Sequence, residues 1–296
     1  MNKIEVYEFS DPVCTWCWGS EPIIRKLEQS YLDNISIKYV MGGLIKDIKN
    51  FYDPVNEIGI DPYKSNISVG KHWNDASKVH KMPLDGNKFE MFDDQNHSTI
   101  PQNRAYLAIK NQDEDGSKRF LRALREASEV YGRKTNRFET LIEIVSETGF
   151  DVPKFIDDYH SLSLDLFQKD LDMCNKYKVT GFPSFLIRYK DREVLLRGYQ
   201  KYETINAIIK ELTNNQFREV KYIFNRDNVI DFLYEYNRVA VIEVAVNFNV
   251  TFEEAESMLD ELAEEMYLIK IPAGNGYFYD LYQENLECDE NGVCYS

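Results

Sequence analysis

The first 43 residues change from a strand-like to a helix-like pattern and back. Residues 3–9 alternate in polarity and are rich in β-formers, which predicts a strand. Residues 10–13 break this pattern, and the apolar positions of residues 19–31 then fall on one helical face. A second strand at 35–40 ends in Gly42-Gly43. The pattern predicts a β-α-β unit with a right-handed crossover.

Helical periodicity dominates the middle of the chain. Residues 46–98 are polar and aromatic, carry several turn signals and allow no secure assignment. The pattern then predicts helices at about 99–112, 116–132, 136–148, 152–160 and 163–178. Strands at 184–189 and 193–198 and a helix at 202–213 follow. The predicted order is therefore β-α-β, a helical block inserted over about 46–178, and β-β-α.

The last seventy residues follow a different pattern. They predict three helices, at 227–236, 239–248 and 252–266, the last with Thr251 as its N-cap. Two apolar segments around Pro272-Ala273-Gly274-Asn275-Gly276 then predict a hairpin. Three helices and a two-stranded wing are typical of a small winged-helix-like α+β domain.

Length and charge support two units. The chain has 296 residues, 43% of them hydrophobic, and a net charge of -15. This length predicts about two domains, and the composition excludes a disordered or fibrous chain. Residues 218–296 hold 5 basic and 17 acidic residues, so most of the negative charge lies there. We therefore predict domains at 1–217 and 218–296.

Hydropathy and charge also indicate which kinds of partner the protein can bind. The chain begins without an apolar leader and contains no apolar run of about 18 residues, so we expect a cytoplasmic protein without a membrane partner. The predicted helix 252–266 carries seven acidic residues and neither Lys nor Arg. Phosphate contacts supply most non-specific affinity for DNA, so we expect no nucleic-acid binding. The acidic unit is instead either a candidate site for a basic protein partner or a solvated face without a partner.

Cysteine spacing indicates redox chemistry. Cys14 and Cys17 form a C-x-x-C motif between a predicted strand and a helix. A helix N-terminus favours a thiolate, and a thiol three residues away can resolve a mixed disulfide. We expect Cys14 to be the accessible nucleophile and Cys17 the resolving thiol. Cys174, among apolar neighbours, is expected to be buried and inert.

A zinc site is the alternative for these cysteines. Cys288 and Cys294 could supply the second half of a site begun by Cys14 and Cys17. Zinc pairs are usually on turns with short, regular spacing, whereas here a strand leads in and a helix leads out. The dithiol is favoured, and no metal or cofactor is predicted.

A proline opens the third predicted strand of the first domain. Pro183 lacks the N–H that a strand ladder needs, so it belongs at a strand start or in a cis bond with Phe182. An ordinary turn proline is the alternative. A cis bond would leave the backbone of Phe182 free to pair with an extended substrate.

Residues 9–22, 40–44 and 181–187 together resemble the DsbA family of thioredoxin-fold proteins, in particular its cytosolic FrnE-like branch. The resemblance implies an α/β thioredoxin fold with a helical insertion, and a thiol-disulfide oxidoreductase or isomerase acting on protein or small-molecule disulfides. It places catalytic roles on Cys14, Cys17 and Pro183. We predict substrate contacts at Trp16, Trp18 and Phe182. No His lies between the two cysteines, which disfavours a strong oxidant.

The domain order resembles a second group, the adaptor proteins that deliver the regulator Spx to the ClpXP protease. Residues 119–126 and 249–256 are the similar stretches. An adaptor needs a binding face and no dithiol. A redox-linked adaptor is therefore the alternative to the enzyme.

The C-terminal pair Cys288 and Cys294 is a candidate redox relay. The five residues between them include Asn291-Gly292, which can turn the chain back and let a disulfide close. We predict that this pair receives a disulfide from Cys14 and Cys17. Its alternative is a tail that oxidises only after purification.

Overall fold

The structure, a computed structural model, describes residues 3–282 and, as two short strands, residues 287–288 and 294–295. The strands are β1 (Ile4–Ser10), β2 (Ile35–Met41), β3 (Tyr52–Asp53), β4 (Ile58–Gly59), β5 (Ser184–Tyr189), β6 (Arg192–Arg197), β7 (Arg238–Ala240), β8 (Leu268–Ala273), β9 (Gly276–Leu281), β10 (Glu287–Cys288) and β11 (Cys294–Tyr295). The helices are α1 (Thr15–Trp18), α2 (Glu21–Tyr31), α3 (Pro62–His80), α4 (Ile100–Gln112), α5 (Ser117–Glu129), α6 (Phe138–Glu147), α7 (Val152–Ser161), α8 (Ser163–Lys176), α9 (Tyr202–Leu212), α10 (Arg226–Tyr236), α11 (Val241–Phe248) and α12 (Phe252–Glu264).

A four-stranded mixed sheet in the order β2-β1-β5-β6 forms the centre of the first unit. β1 is parallel to β2 and antiparallel to β5, which is antiparallel to β6. The apolar residues of β1 and β5, among them Val6 and Ile187, share one core with Leu27 of α2 and Ile205 of α9. The predicted β-α-β and β-β-α halves are therefore confirmed as one sheet.

The stretch 46–98, which the sequence pattern does not assign, contains the 19-residue helix α3. Its buried side mixes Val69 and Trp73 with the polar residues Asn66 and His80. Because polar residues interrupt the apolar face, helical periodicity is weak there. From α4 to α8 the predicted helices are confirmed, and α4 to α7 form a second apolar core. Within the described residues no helix is long and apolar enough to cross a membrane.

Residues 226–282, called here the C-terminal unit, contain α10 to α12 and a sheet in the order β7-β9-β8. Thr251 caps α12 as predicted: its hydroxyl accepts the Glu254 N–H at 3.2 Å, and the Glu254 carboxylate accepts the Thr251 N–H at 2.8 Å. The helix predicted at 239–248 begins only at Val241, because residues 238–240 pair with β9. The winged-helix interpretation and the domain boundary at 217 stay predictions.

A buried cluster of ion pairs, called here the arginine seam, joins the C-terminal unit to α2 and α5. The Glu243 carboxylate accepts hydrogen bonds from Arg122 at 2.6 Å and lies 3.1 Å from the Arg25 guanidinium. Glu126 pairs with Arg122 at 2.5 Å and with Arg238 at 2.9 Å. Buried charges are tolerated when each has a partner of opposite sign, as here.

Candidate active site

Cys14 and Cys17 lie at the junction between strand β1 and the first helices. β1 ends at Ser10, and Cys14 is the N-cap residue of the short helix α1. The Cys14 sulfur accepts a hydrogen bond from the Cys17 N–H at 3.3 Å. A sulfur at this position faces the free N–H groups of a helix start, which stabilise negative charge on a ligand or side chain.

The two thiols differ in burial. Cys17 is fully buried, and burial, the hydrogen bond with Cys14 and the nearby charges of Cys14 and Glu8 raise its pKa well above the ordinary value. Cys14 is only 5% exposed, so the expectation of a solvent-accessible Cys14 is wrong. The reason is that α3, from the unassigned stretch, packs against α1. Cys174 is buried, as expected, and burial raises its pKa to about 12.

The loop before the dithiol is held by one carboxylate. Asp11 is fully buried and accepts hydrogen bonds from the Val13 N–H at 2.9 Å, the Leu44 N–H at 2.7 Å and the Asn103 amide at 2.7 Å. It also accepts the Thr99 hydroxyl at 2.9 Å. These bonds tie the start of α1 to the end of β2 and to α4.

The Phe182–Pro183 peptide bond is cis, the geometry considered for it from the sequence. Ser184, the next residue, pairs with Phe9 in the ladder, which places Pro183 beside the end of β1. The Phe182 ring covers Gly42, where a Cβ would lie only 1.9 Å from the ring. Gly42 therefore leaves the space that the Phe182 ring occupies.

The two tryptophans of the motif occupy different environments. Trp16 is partly exposed, with its ring centroid 5.9 Å from that of His80 and 5.6 Å from that of Tyr199. Trp18 is fully buried and donates to the Pro83 carbonyl at 2.9 Å. The prediction of a substrate contact at Trp18 needs correction, because this side chain packs against Phe278 of the C-terminal unit.

A buried carboxyl group lies beneath the thiols. Glu8 is fully buried, accepts the Ser10 hydroxyl at 3.1 Å, and has one carboxylate oxygen without a partner among the described residues. Burial raises the pKa of Glu8 to about 7 even though the Arg125 guanidinium lies 3.6 Å away. Glu8 was not predicted as a site residue, although its position in β1, two residues after the inward-facing Val6, is a usable signal.

A second polar group beside the dithiol comes from distant sequence. The His80 imidazole of α3 lies 3.4 Å from the Thr15 hydroxyl, and Glu129 of α5 is fully buried near Thr15. The sequence pattern assigns no role to the histidines. No local pattern joins residues 15, 80 and 129.

The described residues contain no group of three or more His, Cys, Asp or Glu side chains placed to hold a metal ion. A cavity of about 400 Å³ lies between the end of α3 and the β8–β9 hairpin, and its lining residues include Lys78, Lys81 and Tyr277 but neither Cys14 nor Cys17. In the backbone of the tail, Cys288 lies opposite Cys294 in the β10–β11 pair. Their side chains, and hence the predicted relay, lie outside the described residues.

A mixed sheet, a C-x-x-C motif capping a helix and a cis-proline beside it define the thioredoxin class. The chain belongs to the thioredoxin family, whose model matches residues 7–207. This confirms the predicted thioredoxin fold with its helical insertion.

At the level of sequence, the chain is similar to adapter proteins. The chain is similar to the ClpXP adapter protein SpxH of Halalkalibacterium halodurans, with 25% identity over 94% of this chain and 89% of the relative. It is also similar to SpxH of Shouchella clausii, with 27% identity over 94% and 88%.

Among solved structures, the fold resembles that of the cytosolic disulfide reductase DsbM of Pseudomonas aeruginosa, with a TM-score of 0.55, 18% identity and coverage of 71% of this chain and 98% of that one. It also resembles a Nitrosomonas europaea protein described as a protein disulfide isomerase, with a TM-score of 0.60, 17% identity and coverage of 72% and 99%. At these identities the likeness concerns the fold alone.

Proposed function

We propose that the protein is a thiol-disulfide oxidoreductase acting on protein or small-molecule disulfides. The observation that carries this proposal is the helix-capping position of Cys14 above the fully buried Cys17. In the reducing direction the Cys14 thiolate attacks a substrate sulfur, forms a mixed disulfide and releases one substrate thiolate. Cys17 then attacks the Cys14 sulfur, which releases the second substrate thiolate and leaves a Cys14–Cys17 disulfide.

The second step requires Cys17 to lose its proton, although its pKa is raised. Glu8 is the proposed acceptor of this proton, because its charge acts on Cys17 and its own pKa, about 7, suits transfer near neutral pH. Phe182, Pro183 and the partly exposed Trp16 are proposed as the substrate-contacting surface.

Turnover of a generic disulfide with a reductant tests the proposal. Cys14→Ser should abolish turnover, and Cys17→Ser should accumulate the mixed disulfide. Cys174→Ser, a buried thiol outside the motif, is the matched control and should keep wild-type turnover. Turnover that survives Cys14→Ser would exclude the mechanism.

A redox-linked adaptor is the second candidate. The two SpxH relatives named above align with 94% of this chain, whereas the structural neighbours named above cover 71–72% of it. The thioredoxin family match ends at residue 207, before the acidic C-terminal unit, which is the proposed face for a protein partner. Partner capture that is unaffected by Cys14→Ser, together with absent turnover, would favour the adaptor.

The Cys288–Cys294 pair is proposed as a second acceptor of oxidising equivalents. Under limiting oxidant the wild type should accumulate a Cys288–Cys294 disulfide, as measured by peptide mass spectrometry. Cys14→Ser should form it more slowly. Equal rates in the two proteins would contradict the relay.

A further inference from the structure

We propose that the β8–β9 hairpin of the C-terminal unit positions the dithiol helix α1, with Gly274 and Asn275 at its tip as the positioning residues. The inference rests on the proposed function in one respect only, namely that Cys14 is the attacking thiol. The hairpin lies outside residues 7–207, the part of the chain that the thioredoxin family model matches. The proposed positioning element is therefore an addition to the matched domain.

One apolar core joins the hairpin to both sides of the dithiol. Val13 and Trp18, which flank the C-x-x-C motif, share this core with Phe278 of β9. The rings of Trp18 and Phe278 meet edge to face, with their centroids 6.4 Å apart. Leu84, from the segment after α3, belongs to the same core and is fully buried. Because α1 has only four residues, too few for a stable isolated helix, its position depends on such contacts.

The tip of the hairpin is bound to the segment after α3 by a reciprocal pair of hydrogen bonds. The Asn275 N–H donates to the Leu84 carbonyl at 2.9 Å, and the Leu84 N–H donates to Asn275 Oδ1 at 3.0 Å. The Asn275 amide also donates to the Ser77 hydroxyl of α3 at 2.9 Å. Since Asn275 satisfies both backbone groups of the buried Leu84, the segment cannot separate from the hairpin without losing both bonds.

Gly274 allows this close approach. Its φ of +56° is in the left-handed region, and a Cβ at this position would lie 2.2 Å from the Leu84 carbonyl oxygen and 2.8 Å from the Asp85 backbone nitrogen. Backbone atoms cannot tolerate such distances without moving. A side chain at position 274 would therefore push the tip away from residues 84–85.

The segment after α3 connects the hairpin tip to α1. Trp18, the last residue of α1, donates its indole N–H to the Pro83 carbonyl at 2.9 Å. The His80 ring, just before this segment, packs against Gly19, where a Cβ would lie 2.6 Å from His80 carbons. The same ring lies 3.4 Å from the Thr15 hydroxyl at the start of α1. Both ends of α1 are therefore in contact with residues 80–83, which the hairpin tip holds in place.

Cys14, the N-cap residue of α1, is only 5% exposed in this arrangement. An alkylating reagent reaches such a thiol when the surrounding structure opens locally, and opening becomes more frequent when contacts of the closed state are lost. Loss of the tip contacts should therefore raise the reactivity of Cys14. Loss of contacts elsewhere in the C-terminal unit should not.

The test is the rate of Cys14 alkylation by iodoacetamide in the reduced full-length protein at neutral pH, followed by peptide mass spectrometry. Asn275→Ala removes the bonds to the Leu84 N–H and to Ser77, and should label Cys14 about threefold to tenfold faster than the wild type. Asn275→Asp keeps an oxygen for the Leu84 N–H and should restore the wild-type rate. Gly274→Ala displaces the whole tip and should label Cys14 faster than Asn275→Ala.

Two matched controls separate positioning from general loosening. Gly149→Ala places a side chain at a similar φ of +75°, but its Cβ would meet no described residue within 4 Å apart from its chain neighbours. Tyr279→Phe removes a 2.5 Å hydrogen bond to Asp260 inside the C-terminal unit. Both variants should label Cys14 at the wild-type rate.

A wild-type labelling rate in either Asn275→Ala or Gly274→Ala would overturn the proposal, as would an equal increase in Tyr279→Phe. If Gly274→Ala fails to fold, the contrast between Asn275→Ala and Asn275→Asp decides the question. Alkylation needs no turnover, so an absence of disulfide exchange would reject the proposed function without deciding this inference.

Discussion

Glu126 and Glu129 lie one turn apart on α5, both nearly or fully buried, yet their surroundings differ. Glu126 belongs to the arginine seam, and Arg238 and Arg122 together outweigh burial and lower its pKa. Glu129 has neither a salt bridge nor a side-chain hydrogen-bond partner among the described residues, and burial raises its pKa to about 8.

The contrast separates structure from chemistry within one helix. A buried carboxylate with guanidinium partners stays charged and holds two units together. A buried carboxyl group without such partners is neutral near pH 7 and can change charge in the working range of a thiol. The seam should therefore respond to substitution through stability, and the dithiol cluster through pH dependence.

The largest expected effect is on the seam. Glu243→Gln should lower the free energy of unfolding by about 3–5 kcal/mol, because Arg25 and Arg122 lose a fully buried partner. Urea denaturation at neutral pH measures it. Glu129→Gln is the matched control and should be as stable as the wild type or more so, since it removes a carboxyl group that folding forces to stay protonated. If Glu243→Gln lowered the free energy of unfolding by less than about 1 kcal/mol, the ion pairs of the arginine seam would not be the stabilising element that the comparison with Glu129 assumes.

The second effect is a loss of stability as the pH rises. Glu129 has a folded pKa of about 8 and Glu8 of about 7, both above the ordinary value of 4.5, so folding binds protons that the unfolded chain releases. The resulting stability is lost as the pH rises toward the folded pKa values. His80, with a folded pKa of about 4, opposes this only below its ordinary value of 6.5.

The free energy of unfolding should therefore fall between about pH 6.5 and 8, by up to about 1.4 kcal/mol per pH unit from Glu129. Urea midpoints across this window measure the slope. Glu129→Gln should flatten it, while Glu126→Gln should retain it. Parallel slopes in the wild type and Glu129→Gln would show that Glu129 does not hold its proton in the folded protein.

The smallest expected loss of stability is at the outer edge of the arginine seam. Asp280 binds Arg238 at 2.7 Å, but both side chains are partly exposed. Asp280→Asn should cost only about 1 kcal/mol, because water screens the pair and Arg238 keeps Glu126. Thermal or urea unfolding beside Glu243→Gln gives the comparison. Equal losses in the two variants would mean that burial does not set the strength of these pairs.

Local pattern was sufficient for much of this protein. The strands of the central sheet, the helices from α4 to α9, the start of α12 after Thr251 and the dithiol at a strand-to-helix junction depend on residues close together in sequence. Periodicity, capping and turn chemistry act over a few residues, so they can be read from the chain alone. The placement of Pro183 at a strand start followed from its missing N–H.

Only the tertiary structure decided which groups surround the thiols. α3 brings His80 to Thr15 across 65 residues, and the packing of α5 buries Glu129 without a hydrogen-bond partner among the described residues. The tertiary structure also buries Trp18 against the C-terminal unit. It places arginine partners beside Glu126, whereas Glu129 has none in the described part of the chain. Charge pairing and burial depend on contacts between segments far apart in sequence. The composition of the chain counts these carboxyl groups but does not distinguish the charged ones from the protonated ones.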